Sequence, residues 1–199
     1  NIPFVHISTD YVFDGSGKRA WVASDPTNPL NAYGRSKIKG EHAVKTSGAT
    51  YAILRTSWVI SAYGDNFIKT MLRLSDKYDS LNVISDQFGG PTPARDVALA
   101  CIEIAAQLCK GPDKSGTYHF SGMPDVSWYQ FANKIFELAR KTTKVQPILT
   151  SEYPSIAVRP MNSRLDCTST KSIFDISRAD WRDGLKDILR SLEEKNEST

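Results

Sequence analysis

Thr9, Tyr33 and Lys37 are the residues of this 199-residue chain whose types and spacing suit carbonyl chemistry. Tyr33 and Lys37 fall four apart in a segment, Asn31 to Val44, that reads as a helix, so both side chains leave the same face. A phenol is a poor acid at neutral pH. An ammonium one turn away favours its ionised form. Such a phenol can give a proton to a carbonyl oxygen while hydride arrives at carbon. Thr9 supplies a second donor to orient that carbonyl. A Tyr-x-x-x-Lys pair alone arises often by chance, as a half-buried tyrosine with its lysine in solvent. The context is more particular: Asn1 to Ser8 is a short apolar run ending in Ser8-Thr9-Asp10, as a buried parallel strand ends at its functional edge.

The elements that must position these groups alternate between strand and helix patterns, which predicts an α/β fold. Strands are expected at 50–56, 81–85 and 116–120, and helices at 65–74 and 128–139. Thr92 can cap a helix opened by Pro93 and running to about Cys109. A last helix starts near Asp180, with Glu193 to Glu197 expected as a solvated tail. Asp14-Gly15-Ser16-Gly17-Lys18 lacks the third glycine of a dinucleotide fingerprint and reads as a turn.

Apolar residues make up 40% and charged residues 24%, ordinary values for a globular protein. A net charge of +3 is too small to argue for nucleic acid. No apolar run approaches the roughly 20 residues of a membrane span, and no secretory leader is visible. The three cysteines are an odd number without metal spacing, as expected of reduced thiols in a cytoplasmic protein. His6 and His119 read as strand-face residues rather than metal ligands.

Five runs carry a resemblance: Ser8 to Gly15 (STDYVFDG), Pro29 to Lys37 (PLNAYGRSK), Arg55 to Val59 (RTSWV), Asp86 to Thr92 (DQFGGPT) and Arg159 to Leu165 (RPMNSRL). In this order they resemble the extended short-chain dehydrogenase/reductase family, and within it the dTDP-4-dehydrorhamnose reductases. The resemblance implies the carboxy-terminal part of a Rossmann-type parallel sheet with a small interleaved α/β substrate domain. Residues 1–110 would belong mainly to the dinucleotide-binding part and 111–199 mainly to the substrate part.

The implied activity is NADPH- or NADH-dependent reduction of a nucleotide-linked 4-keto-6-deoxy sugar. Thr9, Tyr33 and Lys37 would be catalytic, and Tyr33, Lys37, Thr56 and Ser57 would meet the cofactor. Asp10, Trp58, Asn66, Gln87, Thr92, Arg159 and Arg164 would meet the substrate, the arginines at its diphosphate. Without the resemblance, Trp58 reads as a core residue, and for the arginines a surface role and a ligand role stay equally open. Some relatives bind magnesium, and a homodimer is compatible with the family.

The chain resembles the carboxy-terminal two thirds of such a reductase and lacks its glycine-rich turn, so residues 1–199 alone are expected to be inactive. Two alternatives stay open. One is another extended enzyme of the family, although a dehydratase usually has Asp-Glu after the threonine and here Tyr11 follows Asp10. The other is a non-catalytic regulatory subunit related to the partner of methionine adenosyltransferase.

Overall fold

Residues 2–153 and 157–197 are described by a computed structural model. Its first sheet is parallel, in the order β1 (Phe4–Thr9), β2 (Tyr51–Thr56), β7 (Gly116–His119). β2 is central, and Ala52 through Thr56 are all buried, as suits a strand covered on both faces. Successive side chains alternate between faces. Ala52 and Leu54 meet α3 (Ala94–Lys110) through Val97, Ala100, Ile104 and Leu108. Arg55 points the other way and meets α1 (Ala32–Thr46). The register sets Thr9 beside Thr56, so β1 and β2 end together under the start of α1.

A second core joins α2 (Phe67–Ser75), α4 (Trp128–Leu138) and α6 (Trp181–Glu197). Ile68, Phe131, Ile135, Trp181 and Leu185 are its buried centre. They pack beside a parallel pair, β4 (Ser80–Ile84) and β9 (Lys144–Ile148). Short strands stitch the two parts. β3 (Val59–Ile60) pairs with β6 (Thr92–Pro93), while β5 (Phe88–Gly89) lies between β8 (Val126–Ser127) and β10 (Asn162–Ser163). α5 (Thr168–Phe174) lies against β7. The expected α/β architecture with parallel sheets is present. No helix among the described residues is long and apolar enough to cross a membrane.

The caps explain where helices begin. Asn31 Oδ1 accepts from the Gly34 amide at 2.9 Å, starting α1 after the Pro29 loop. Ser127 and Gln130 form a reciprocal capping box on α4. Thr92 does not cap α3, contrary to expectation. Pro93 occupies that position without a side-chain bond, because the Thr92 hydroxyl is drawn back to Gly90 O at 2.9 Å. The expected tail after Glu193 is helical and continues α6 to Glu197. The 14–18 segment is a turn, with Gly15 and Gly17 at positive φ and Asp14 accepting from the Ser16 amide.

Candidate active site

The hydroxyl of Thr9, at the end of β1, accepts from the Tyr11 amide at 3.2 Å and donates to Asp10 Oδ1 at 3.1 Å. That bond turns the strand into a single helical turn, Asp10–Val12. Gly34 of α1 lies directly over this turn: a Cβ there would stand 2.1 Å from the Tyr11 carbonyl oxygen. Only glycine permits that approach, and it brings Tyr33 beside Tyr11, edge to face with centroids 5.7 Å apart. Tyr33 is 55% exposed, its ring open to a ligand. One turn on, Lys37 Nζ donates to the Ile7 carbonyl at 2.6 Å, tying the ammonium to β1.

Thr9, Asp10, Tyr33, Lys37, Thr56 and Trp58 line one cleft of about 300 Å³. Thr56 Oγ1 is buried there without a hydrogen-bond partner. Trp58 sits at φ 47°, a left-handed conformation uncommon for so large a residue. Its indole stacks on Trp128 and covers Gly89, where a Cβ would be 2.8 Å from the ring. A larger groove, about 620 Å³ between α6 and the start of α3, lies apart from these groups.

Burial pushes the Asp10 carboxyl up to about 6, against the hydroxyls of Ser163 and Thr9 and local amides. Its Oδ2 makes no hydrogen bond. Burial and then the Asp10 charge push Tyr11 up to about 12, so it stays a neutral phenol.

The other expected contacts divide. Gln87 and Arg159 share a second cavity of about 290 Å³ with Thr150 and Tyr153. Gln87 Nε2 donates to Thr150 Oγ1, and the Asp86 carboxylate holds that residue by its amide and hydroxyl. Arg164 lines neither cavity. Its guanidinium donates to Lys18 O and Asn162 Oδ1 and lies over the Phe88 ring at 4.5 Å. Ser57 donates to Gly90 O at 3.3 Å and is buried outside the cleft. Asn66 is committed to capping α2: its Oδ1 accepts from the amides of Ile68 and Lys69, and its amide donates to Ser61 O. Thr92 is wholly buried, donating to Gly90 O and accepting from the Gly122 amide. The structure therefore does not bring the side chains of Ser57, Asn66, Thr92 or Arg164 to either cavity.

Sequence reasoning missed Trp128, whose only signal is aromatic character seventy residues from Trp58. It also missed Glu41, although 33, 37 and 41 continue one helical stripe. Arg55 grips the Glu41 carboxylate with Nε at 2.8 Å and Nη2 at 2.7 Å. Burial raises the Glu41 carboxyl, but Arg55 and Ser8 outweigh it and the net shift is downward. His6 and His119 lie on strands as expected. Among the described residues no three His, Cys, Asp or Glu side chains are grouped to hold a metal.

The family described as RmlD substrate binding domain matches residues 1–194. The chain belongs to the dTDP-4-dehydrorhamnose reductase family. The dTDP-4-dehydrorhamnose reductase of Sinorhizobium fredii is 42% identical over 197 residues, which are 96% of this chain and 67% of that protein. A solved reductase of that name from Clostridium acetobutylicum superposes with TM-score 0.86 at 37% identity, across 95% of this chain and 65% of its own. Another, from Bacillus anthracis in complex with NADP, gives TM-score 0.78 at 35% identity, with 94% and 65% covered. The chain thus spans about two thirds of the length of the relatives it matches. Family membership accounts for the parallel sheet.

Proposed function

We propose that this protein is the NAD(P)H-dependent reductase that converts dTDP-4-dehydro-L-rhamnose to dTDP-L-rhamnose. The observation that carries the reading is the convergence of Thr9, Tyr33 and Lys37 on one cleft with Trp58. The relatives' name, and NADP in the Bacillus anthracis structure, support it. The cleft also suits a nicotinamide nucleoside: Thr56 has a buried hydroxyl without a partner, and Lys37 lines the same cleft. Tyr33, Lys37 and Thr56 would hold that group, and Ser57 would support the strand end. When bound, the reduced nicotinamide supplies hydride to the sugar C4 carbon.

The protein's own residues handle the proton. The Thr9 hydroxyl rotates its hydrogen from Asp10 to the C4 oxygen and orients the carbonyl. Tyr33 donates its proton to that oxygen, completing the alcohol. Lys37, one turn away, stabilises the phenolate left behind. Trp58 lies along the sugar, and Asp10 Oδ2 accepts a sugar hydroxyl. Arg159 and Gln87, in the neighbouring cavity, take the nucleotide diphosphate. We place the enzyme in the cytoplasm, acting on a small nucleotide sugar.

The test is NADPH oxidation by the full-length protein given dTDP-4-dehydro-L-rhamnose, with the product identified by mass and sugar stereochemistry. Stoichiometric dTDP-L-rhamnose is expected. No turnover with this substrate, from protein that binds NADPH, would overturn the reading.

A further inference from the structure

Of the fifteen residues of α1, only Gly34 and Glu41 are fully buried. The helix that carries Tyr33 and Lys37 therefore has no fully buried apolar side chain keying it into the sheet. Ile38 packs, partly buried, against Val12, Phe13 and Leu165, and the attachments to the ends of β1 and β2 are polar. Lys37 donates to Ile7 O. Glu41 accepts from Ser8 Oγ on β1 at 2.6 Å and from both forks of Arg55 on β2. Ser8, Glu41 and Arg55 are each 2% exposed. The remaining Arg55 nitrogen, Nη1, donates to Ala23 O at 3.2 Å, on the loop that leads into α1.

We propose that Glu41 and Arg55 are positioning residues: their ion pair sets the rotation and height of α1 over the ends of β1 and β2. It thereby sets where Tyr33 and Lys37 stand relative to Thr9 and Thr56. Tyr33 lies two turns before Glu41, roughly 12 Å along the axis. A pivot of about 5° at Glu41 would move the Tyr33 backbone by about 1 Å, and displacements of that size can cost about 100-fold in rate. Stability alone does not call for these charges, because a buried ion pair replaced by apolar groups of similar volume is often neutral or better. Two parallel N–H···O bonds do what an apolar contact cannot: they fix direction. The catalytic part of this inference rests on Tyr33 being the proton donor. The seating part does not.

The experiment uses the full-length protein with Glu41→Met/Arg55→Met, which removes both charges while keeping volume. Hydrogen exchange is read without substrate or cofactor, and turnover separately. The expected result is a thermal midpoint within a few degrees of wild type, with amides of Ala32–Lys37 exchanging at least about tenfold faster. kcat should fall at least about tenfold, with KM for the nucleotide sugar changing less. Unchanged exchange and unchanged kcat would overturn the proposal. If the double variant does not fold, Glu41→Asp decides. It keeps the charge but is one methylene too short to reach both Ser8 and Arg55, so it should move both readouts the same way by a smaller factor. No change in either would overturn the proposal. Faster exchange in a protein whose wild type does not reduce the keto sugar would uphold the seating role and reject the assigned reaction.

Discussion

The indoles of Trp58 and Trp128 stack with centroids 3.5 Å apart and planes 10° from parallel, forming one wall of the cleft that holds Tyr33. The pair joins the two cores: Trp58 follows β2, and Trp128 opens the helix whose Phe131 and Ile135 centre the second core. Phe67 tilts against Trp128 from behind at 4.5 Å, so the wall is backed by packing. An aromatic pair contributes roughly 0.5–1.5 kcal/mol beyond its buried area. Trp128→Leu should leave the fold intact, abolish the coupled indole signal in near-ultraviolet circular dichroism and raise KM for the nucleotide sugar about tenfold. An unchanged KM with the coupled signal gone would show that the wall does not contact substrate.

Tyr33→Phe removes the proton donor and keeps the ring. Turnover of the full-length protein should fall at least about 100-fold, within the range for a positioned acid. Substrate affinity should change little. Lys37→Met should lower turnover and cofactor affinity together, because the ammonium is proposed both to stabilise the phenolate and to hold the cofactor. Near-normal turnover in Tyr33→Phe would remove Tyr33 from the mechanism.

The parts of the site legible in the sequence were those with local periodicity. Tyr33 and Lys37 share a helical stripe and Thr9 ends an apolar run, but their meeting at one site was implied by the family resemblance and not by these local patterns. Asn66 was seen to stand at a helix start, but the competition between capping and ligand binding was not visible. Its own side chain satisfies the amides that an anion would have taken. Thr92 misled in a similar way, since its hydroxyl bonds across to Gly122, thirty residues distant. β9 escaped notice because Pro147 interrupts its strand pattern, and a proline is tolerated there only where a strand lies at an edge. The Glu41–Arg55 pair depends on two elements docking, which no single-segment pattern reports.

The pH dependence of stability should contain two opposed contributions. Asp10 titrates near 6 in the fold against an ordinary 3.8, so its contribution is full below about 4 and is lost as pH rises through 6. His119 is pushed down to about 4 by burial and then by Arg55, while its Nδ1 holds the Trp21 carbonyl at 2.9 Å. Its contribution is full above about 6.5 and is lost as pH falls through 4. Each is of the order of 3 kcal/mol. Between pH 4 and 6.5, Asp10→Asn should therefore become more stable as pH rises relative to wild type. His119→Gln should become less stable over the same range. Denaturant titrations at several pH values check this, and parallel curves for all three proteins would reject both assignments.

Arg159 and Arg164 flank the same short loop but should fail differently when truncated. Arg159 is exposed and lines the cavity with Gln87, making it available to a diphosphate. Its guanidinium can meet two phosphate oxygens at once. Arg164 is already spent on the fold through its bonds to Lys18 O and Asn162 Oδ1 and its position over Phe88. Arg159→Ala should weaken dTDP binding by about 10- to 100-fold, with the thermal midpoint nearly unchanged. Arg159→Lys should recover only part of that loss, since an ammonium lacks the fork. Arg164→Ala should instead cost roughly 1–2 kcal/mol of stability. It should weaken dTDP and NADPH by similar small factors through the loosened 14–18 turn. Calorimetric titration of both ligands into both variants, beside a denaturant curve for each, separates the roles. A selective loss of dTDP affinity in Arg164→Ala, at unchanged stability, would return Arg164 to the nucleotide site and show that its bonds to the turn give way to ligand.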